Sequence, residues 1–263
     1  MSGDLVTALG RDVRGTVHDS ARRRAEYSSD AGNYRVLPQA VVDPVDADDV
    51  AATIEVARSL GVPVTSRGGG TSIAGNAVGP GIVLDLSRHL TRVLSIDPDA
   101  REAIVEPGVV LSNLQRRLAP LGLRFGPDPS SQDRCTIGGM IGNNACGVHA
   151  VSYGRTSDNV HELDLVDGRA RRLTVAAGPG QVPGLDALVD ASLATIRTEF
   201  GRFSRQVSGY GLQHLLPEHG RQLARAVVGS EGTLAVVTRA RLRLVPISPV
   251  RLLVVLGYPS MAQ

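Results

Sequence analysis

Apolar residues recur at helical spacing in some stretches of this chain and alternate with polar ones in others. Over residues 45–61 (VDADDVAATIEVARSLG), Val50, Ile54 and Ala57 fall on one helical face. Asp46 is placed to cap that helix and Gly61 to stop it. Short apolar runs at 62–66, 81–87, 92–97 and 102–108 read as strands. Together these elements predict a small α/β unit. Ser112 and Gln115 have capping-box spacing before a helix over 114–121, which Gly122 closes. Two further strand patterns, 160–166 and 169–174, flank Asp167-Gly168, a two-residue hairpin signal. Leu185, Leu188, Val189, Ile196 and Phe200 outline one amphipathic helix over 184–201. Ala240, Leu242 and Leu244 then alternate with Arg239, Arg241 and Arg243, the pattern of a half-buried strand with a basic, wet face. Residues 250–257 begin a last apolar strand and the text stops soon after. That end predicts a cut at a domain boundary, against the alternative of an ordinary edge strand. Residues 1–34 are polar and Arg-rich, with an apolar patch at 5–9, and read as an N-terminal extension.

Two stretches have neither period. Residues 66–79 (SRGGGTSIAGNAVG) and 127–147 (PDPSSQDRCTIGGMIGNNACG) are rich in Gly, Ser, Thr and Asn. Glycine permits positive φ and close approach, and consecutive N–H groups in such turns form anion-binding concavities. Two of them predict a large anionic ligand gripped from two sides, as a dinucleotide would be. The chain has no lysine, so its 28 basic residues are all Arg and a P-loop is excluded. A Rossmann fingerprint fails because Ile73 stands where the last glycine belongs, and the residues after it are helix breakers. No G-x-S-x-G elbow is present.

Composition narrows the classes. With 263 residues, 42% of them hydrophobic, a substantial core is available. A net charge of +2 and 3% aromatics give no footprint for nucleic acid. The two cysteines, Cys135 and Cys146, form no C-x-x-C pair, and small buried side chains are expected of them. His149, His161, His214 and His219 make no metal constellation. No signal peptide or membrane span is apparent, and a reducing, cytoplasmic setting fits.

Four stretches together resemble the flavoproteins that share the vanillyl-alcohol oxidase / p-cresol methylhydroxylase (PCMH) type of FAD-binding domain. They are residues 66–77, 127–147 with Tyr153-Gly154 after them, 208–220 (SGYGLQHLLPEHG) and 228–238 (VGSEGTLAVVT). The resemblance spans about residues 35–247 and is nearest to D-lactate dehydrogenases, D-2-hydroxyglutarate dehydrogenases and glycolate oxidase flavin subunits. It implies an α+β fold of two subdomains: a small α/β unit, about 35–110, and a larger, mainly antiparallel sheet with helices, 111–247. Residues 248–263 would begin a substrate cap domain.

The resemblance also implies roles. Arg67, Gly68, Gly69, Gly70, Thr71 and Ser72 match the pyrophosphate loop, with Gly75 and Asn76 completing it. Pro127, Asp128, Pro129, Ser130 and Ser131 match a segment along the flavin ring and the rest of the diphosphate, as do Thr136, Gly138, Gly139, Asn143, Asn144 and Gly147. Tyr153 and Gly154 follow it, and Glu231 and Gly232 match the part near the adenosine, with Val236 just beyond. Many relatives attach FAD through a His directly after the first-loop glycines. Thr71 stands there, so noncovalent FAD is expected. The activity implied is oxidation of a D-2-hydroxy acid such as D-lactate, D-2-hydroxyglutarate or glycolate by hydride transfer to the flavin. Electrons would pass to a cytochrome, a quinone or an electron-transfer flavoprotein. The base would lie in the cap, so no catalytic residue is assigned here, and an iron–sulfur cluster would belong to a further C-terminal domain. Contact with the inner face of a membrane is compatible with the family. A non-catalytic flavin-binding subunit and another reductase on the same fold stand as alternatives.

Overall fold

The computed structural model of the protein describes residues 2–200, 202–203, 209–250 and 252–260. The first part of the chain forms α1 (Ser2–Asp12), β1 (Thr16–His18), α2 (Ala21–Glu26), β2 (Ala40–Asp43), α3 (Ala47–Leu60), β3 (Val64–Arg67) and β4 (Ile82–Asp85). Its sheet has the order β1-β2-β4-β3, with β2, β4 and β3 parallel and β1 antiparallel at the edge. Every residue of β2 and β4 is buried, as expected of parallel strands covered on both faces. Asp46 caps α3 by accepting the N–H groups of Asp48 (2.9 Å) and Asp49 (3.1 Å). Gly61 ends the helix at φ +65°, and Val50, Ile54 and Ala57 are buried on one face, all as the pattern predicts.

Residues 1–34 were expected to be an extension, but the described part is built into this unit. Leu5 and Leu9 of α1 are fully buried in the same apolar cluster as Val50 and Ile54 of α3. β1 pairs with β2 from Thr16↔Asp43 to His18↔Val41.

The second part forms β5 (Val93–Asp97), β6 (Glu102–Val105), α4 (Leu111–Leu118), β7 (Leu123–Phe125), α5 (Ile137–Asn143), α6 (Ala150–Tyr153), β8 (Val160–Asp167), β9 (Arg172–Val175), α7 (Leu185–Ala191), α8 (Leu193–Glu199), α9 (Leu223–Val227) and β10 (Ala235–Pro246). The sheet order is β5-β6-β10-β8-β9, with β7 on the far end of β10, and every pair is antiparallel. β5 and β6 therefore belong to the second sheet, and the junction falls between β4 and β5 rather than near residue 110. The patterns carry the reason: β6 alternates half-buried and buried positions, as a strand with one polar face must, whereas β4 is buried throughout. The basic face of β10 is paired as well as wet. Arg239 meets Asp164 at 2.5 Å, and Arg241 reaches Glu102 and Glu162, each at 3.6 Å.

Four further expectations are not met. Gln115 does not cap α4. Its amide brackets the backbone of Phe125, donating to the carbonyl at 2.8 Å and accepting the N–H at 3.0 Å, which fastens α4 to β7. The β8–β9 connection is longer than two residues, because Asp167 accepts the N–H groups of both Arg169 and Arg171 at 2.9 Å. The helical stretch from 184 breaks at Ser192, between α7 and α8. Residues 252–260 form no strand. Leu252 to Leu256 are exposed and pair with no strand among the described residues.

Candidate cofactor site

The two glycine loops face one cavity of about 410 Å³. The first loop leaves the C-terminal end of β3, and the second runs into α5. The cavity gathers Arg67, Gly68, Gly69, Gly70, Thr71, Ser72 and Asn76 from the first loop. From the second come Pro129, Ser131, Thr136, Gly138, Gly139, Asn143 and Asn144, and the turn before β10 supplies Glu231 and Gly232. Stretches far apart in sequence thus share one wall.

Glycine is required where the loops meet. A Cβ on Gly68 would lie 2.1 Å from the Thr136 hydroxyl oxygen, and one on Gly69 would lie 2.2 Å from the Arg134 carbonyl oxygen. Thr136 is buried and caps α5, its oxygen accepting the Gly139 N–H at 3.3 Å. The N–H groups of Ile137 and Gly138 donate to the carbonyls of Val109 (2.9 Å) and Pro107 (2.7 Å). The first turn of α5 is therefore largely satisfied by the protein itself. The first loop differs. The N–H groups of Gly68, Gly69, Gly70, Thr71 and Ser72 find no acceptor among the described residues. Five successive free donors on a cavity wall form the kind of concavity that receives anionic oxygens. The Arg67 side chain braces the loop. It donates to the carbonyls of Ser29 (2.9 Å) and Ala77 (3.0 Å) and stacks 5.0 Å from the centre of the Tyr27 ring.

Eight expected residues lie off the cavity lining: Gly75, Pro127, Asp128, Ser130, Gly147, Tyr153, Gly154 and Val236. Gly75 turns at φ +80° against the ring of Tyr34. Asp128 is bound to the His149 ring and lies 3.6 Å from Arg124, while Gly147 packs on the Asp128 backbone. Tyr153 stacks under Arg124 at 5.2 Å, and Gly154 packs on Asp158. Val236 points to the opposite side of β10 and is buried with Val166 in the cluster that includes α3. Its neighbours Ala235 and Val237 face the cavity instead. Strand alternation explains that reversal and is the signal that could have found them.

Five other lining residues are not singled out for the site by the sequence, although all but Pro107 lie within the second loop. Pro107, Met140 and Ile141 furnish apolar wall, and Cys135 and Cys146 both line it. Burial pushes the Cys135 thiol above its ordinary pKa, so it stands there as a small neutral group. Among the described residues no cluster of His, Cys, Asp and Glu could hold a metal ion, and no helix is long and apolar enough to cross a membrane.

Residues 38–176 match the FAD binding domain family. The D-2-hydroxyglutarate dehydrogenase of Pseudomonas putida is 36% identical over 94% of this chain and 26% of its own length. Glycolate oxidase subunit GlcD of Bacillus subtilis is 34% identical over 87% of this chain and 42% of its own. The D-lactate dehydrogenase of Archaeoglobus fulgidus is 34% identical over 84% of this chain and 42% of its own. This chain thus spans about a quarter to two fifths of these relatives' lengths. A solved alkyldihydroxyacetonephosphate synthase superposes with TM-score 0.68 at 18% identity, over 94% of this chain and 41% of that one, and shares the fold.

Proposed function

Since the chain belongs to the FAD binding domain family, we propose that it is the flavin-binding part of an FAD-dependent oxidoreductase acting on a D-2-hydroxy acid. The row of unpaired N–H groups on residues 68–72 carries this reading. A diphosphate brings about two negative charges, whose burial without donors would be very costly. The free N–H groups of the first loop supply such donors beside a cavity with glycine at its tightest points. Thr71 and Ser72 add hydroxyls on the same wall. The second loop acts differently. With its N–H groups largely occupied, it supplies shape through Pro129, Ser131 and Thr136 and apolar wall through Met140 and Ile141.

Bound FAD would supply a ring able to accept two electrons and a proton. The protein would hold the diphosphate, exclude water with the apolar wall and fix where the ring emerges. The substrate class follows from the relatives, whose names include D-2-hydroxyglutarate and D-lactate dehydrogenases and a glycolate oxidase subunit. The base and the groups that grip the substrate carboxylate would lie outside these residues, in a cap domain. A cytochrome, a quinone or an electron-transfer flavoprotein would take the electrons, at the inner face of a membrane for a quinone. The test is anaerobic addition of D-2-hydroxyglutarate, D-lactate and glycolate to the full-length flavoprotein. Bleaching of the flavin absorbance by one of them is expected. A colourless protein that takes up no FAD would overturn the cofactor assignment, and bound flavin that none of the acids bleaches would overturn the substrate class.

A further inference from the structure

We propose that Glu231 is a positioning residue that clamps the two glycine loops across the cavity before any ligand arrives. The inference rests on the FAD reading only for its functional consequence. Glu231 adopts φ +52°, a left-handed conformation that few residues other than glycine take. Its turn is held in place on both sides. The Glu231 N–H donates to Gly142 at 3.0 Å, the Gly229 N–H donates to Ile141 at 2.9 Å, and Gly232 is pressed against Ser66, where a Cβ would lie 2.7 Å from the hydroxyl oxygen.

From that turn the carboxylate reaches both loops. One oxygen accepts the side-chain amide of Asn76 in the first loop. The other accepts the amide of Asn143 at the end of α5, at 3.4 Å. Asn76 passes the constraint on, since its amide oxygen accepts the Ser72 hydroxyl at 3.0 Å. A continuous chain, Ser72–Asn76–Glu231–Asn143, thus links the row of free donors to α5. The charge argues the same way. A carboxylate on the wall of an anion site repels phosphate, so its contribution there is to orient amides. Each carboxylate oxygen already has a protein donor.

The experiment compares wild type with Glu231→Gln, Glu231→Gly and Asn76→Ala in the full-length protein stripped of flavin. Glu231→Gly suits the backbone conformation and keeps the turn while removing the carboxylate. Glu231→Gln keeps the size but sets an NH₂ group against a donor amide. Amide hydrogen exchange at Ala74 and Asn76, whose N–H groups donate to the Ser72 hydroxyl, and over residues 138–144 is read first, without ligand, and FAD affinity second. Exchange at both places should rise several-fold in both Glu231 variants. FAD affinity should fall about tenfold, with Asn76→Ala adding little to Glu231→Gly. Unchanged exchange in the ligand-free variants would overturn the proposal, whether affinity falls, which would make Glu231 a direct ligand, or stays the same. If the wild type binds no FAD but the exchange still rises, the FAD reading fails and the clamp stands.

Discussion

Gly68 and Thr136 touch, although they sit in different glycine loops: a Cβ on Gly68 would come within 2.1 Å of the Thr136 hydroxyl oxygen. Thr136 cannot step aside, because it is 1% exposed and holds the first turn of α5 through the Gly139 N–H. The loops are thus two sides of one packed joint, and the cavity opens beside it. Glycine at 68 serves that contact as directly as it serves any ligand.

Gly68→Ala should therefore destabilise the fold as well as weaken flavin binding. Overpacking of this kind costs roughly 1–3 kcal/mol. Thr136→Ala should cost about 1 kcal/mol through loss of the cap. The double variant should cost less than the sum, since the alanine at 68 then meets only the Cβ at 136, 3.3 Å away, in place of the hydroxyl oxygen at 2.1 Å. Urea unfolding of all four proteins measures this, and strict additivity would show that the two residues do not share a contact.

Gly69 faces a harder obstacle. Its Cβ would lie 2.2 Å from a backbone atom, the Arg134 carbonyl oxygen, which has no rotamer to change. Electrostatics alone would make Gly69→Asp the damaging variant, with much of the fold kept and only the charge excluding the diphosphate. The packing predicts that Gly69→Ala, which carries no charge, already loses most of the flavin affinity and lowers the melting temperature. Flavin fluorescence titration with thermal unfolding separates the two. A Gly69→Ala protein with wild-type affinity would mean that the loop yields easily.

What was legible in the sequence depended on how local the cause was. Asp46 and Gly61 act within one helix end, and both behave as the pattern implies. The glycine loops are also local signals, and they do share a cavity. Side-chain partners far apart in sequence left no such mark. Nothing near Gln115 announces that it will bracket Phe125, and nothing in residues 1–34 shows that α1 will cover α3. For the same reason nothing near Arg67 announces that one of its guanidinium nitrogens will donate to the carbonyls of Ser29 and Ala77. Val236 differs for another cause: on a strand its side chain faces away from the cavity that Ala235 and Val237 line.

Thr71 lines the cavity, and the resemblance to PCMH-type flavoproteins implies that it stands where many members would carry a flavin-bonded His. Its hydroxyl can donate or accept a hydrogen bond but has no ring nitrogen to form that link. Acid precipitation of the holoprotein should leave the yellow colour in the supernatant. Colour retained in the washed pellet would require another attachment point, and Cys146, half-buried on the same wall, would be the first to test.

His214 should set the acid limit of stability between about pH 6.5 and 4. Burial is the main cause of its shift, helped by the nearby positive charges of Arg225 and Arg155 and opposed by Asp158. Together they push its pKa from 6.5 down to about 4. The folded protein therefore holds this ring neutral where the unfolded chain would already be protonated. With more protons bound in the unfolded state, stability falls as the pH drops below 6.5, and the loss levels off below about 4. A shift of this size corresponds to about 3 kcal/mol at most. Glu218 works in a lower window. Its bond to Arg197 holds it at about 2 against an ordinary 4.5, so its contribution is lost only as the pH falls through that range. His214→Gln cannot titrate and should flatten the stability curve from pH 6.5 to 4 while leaving the decline below 4 in place. Urea midpoints measured at half-unit pH steps resolve the two. If the variant keeps the wild-type slope above pH 4, the acid sensitivity belongs to another group and His214 is not the proton-excluding residue.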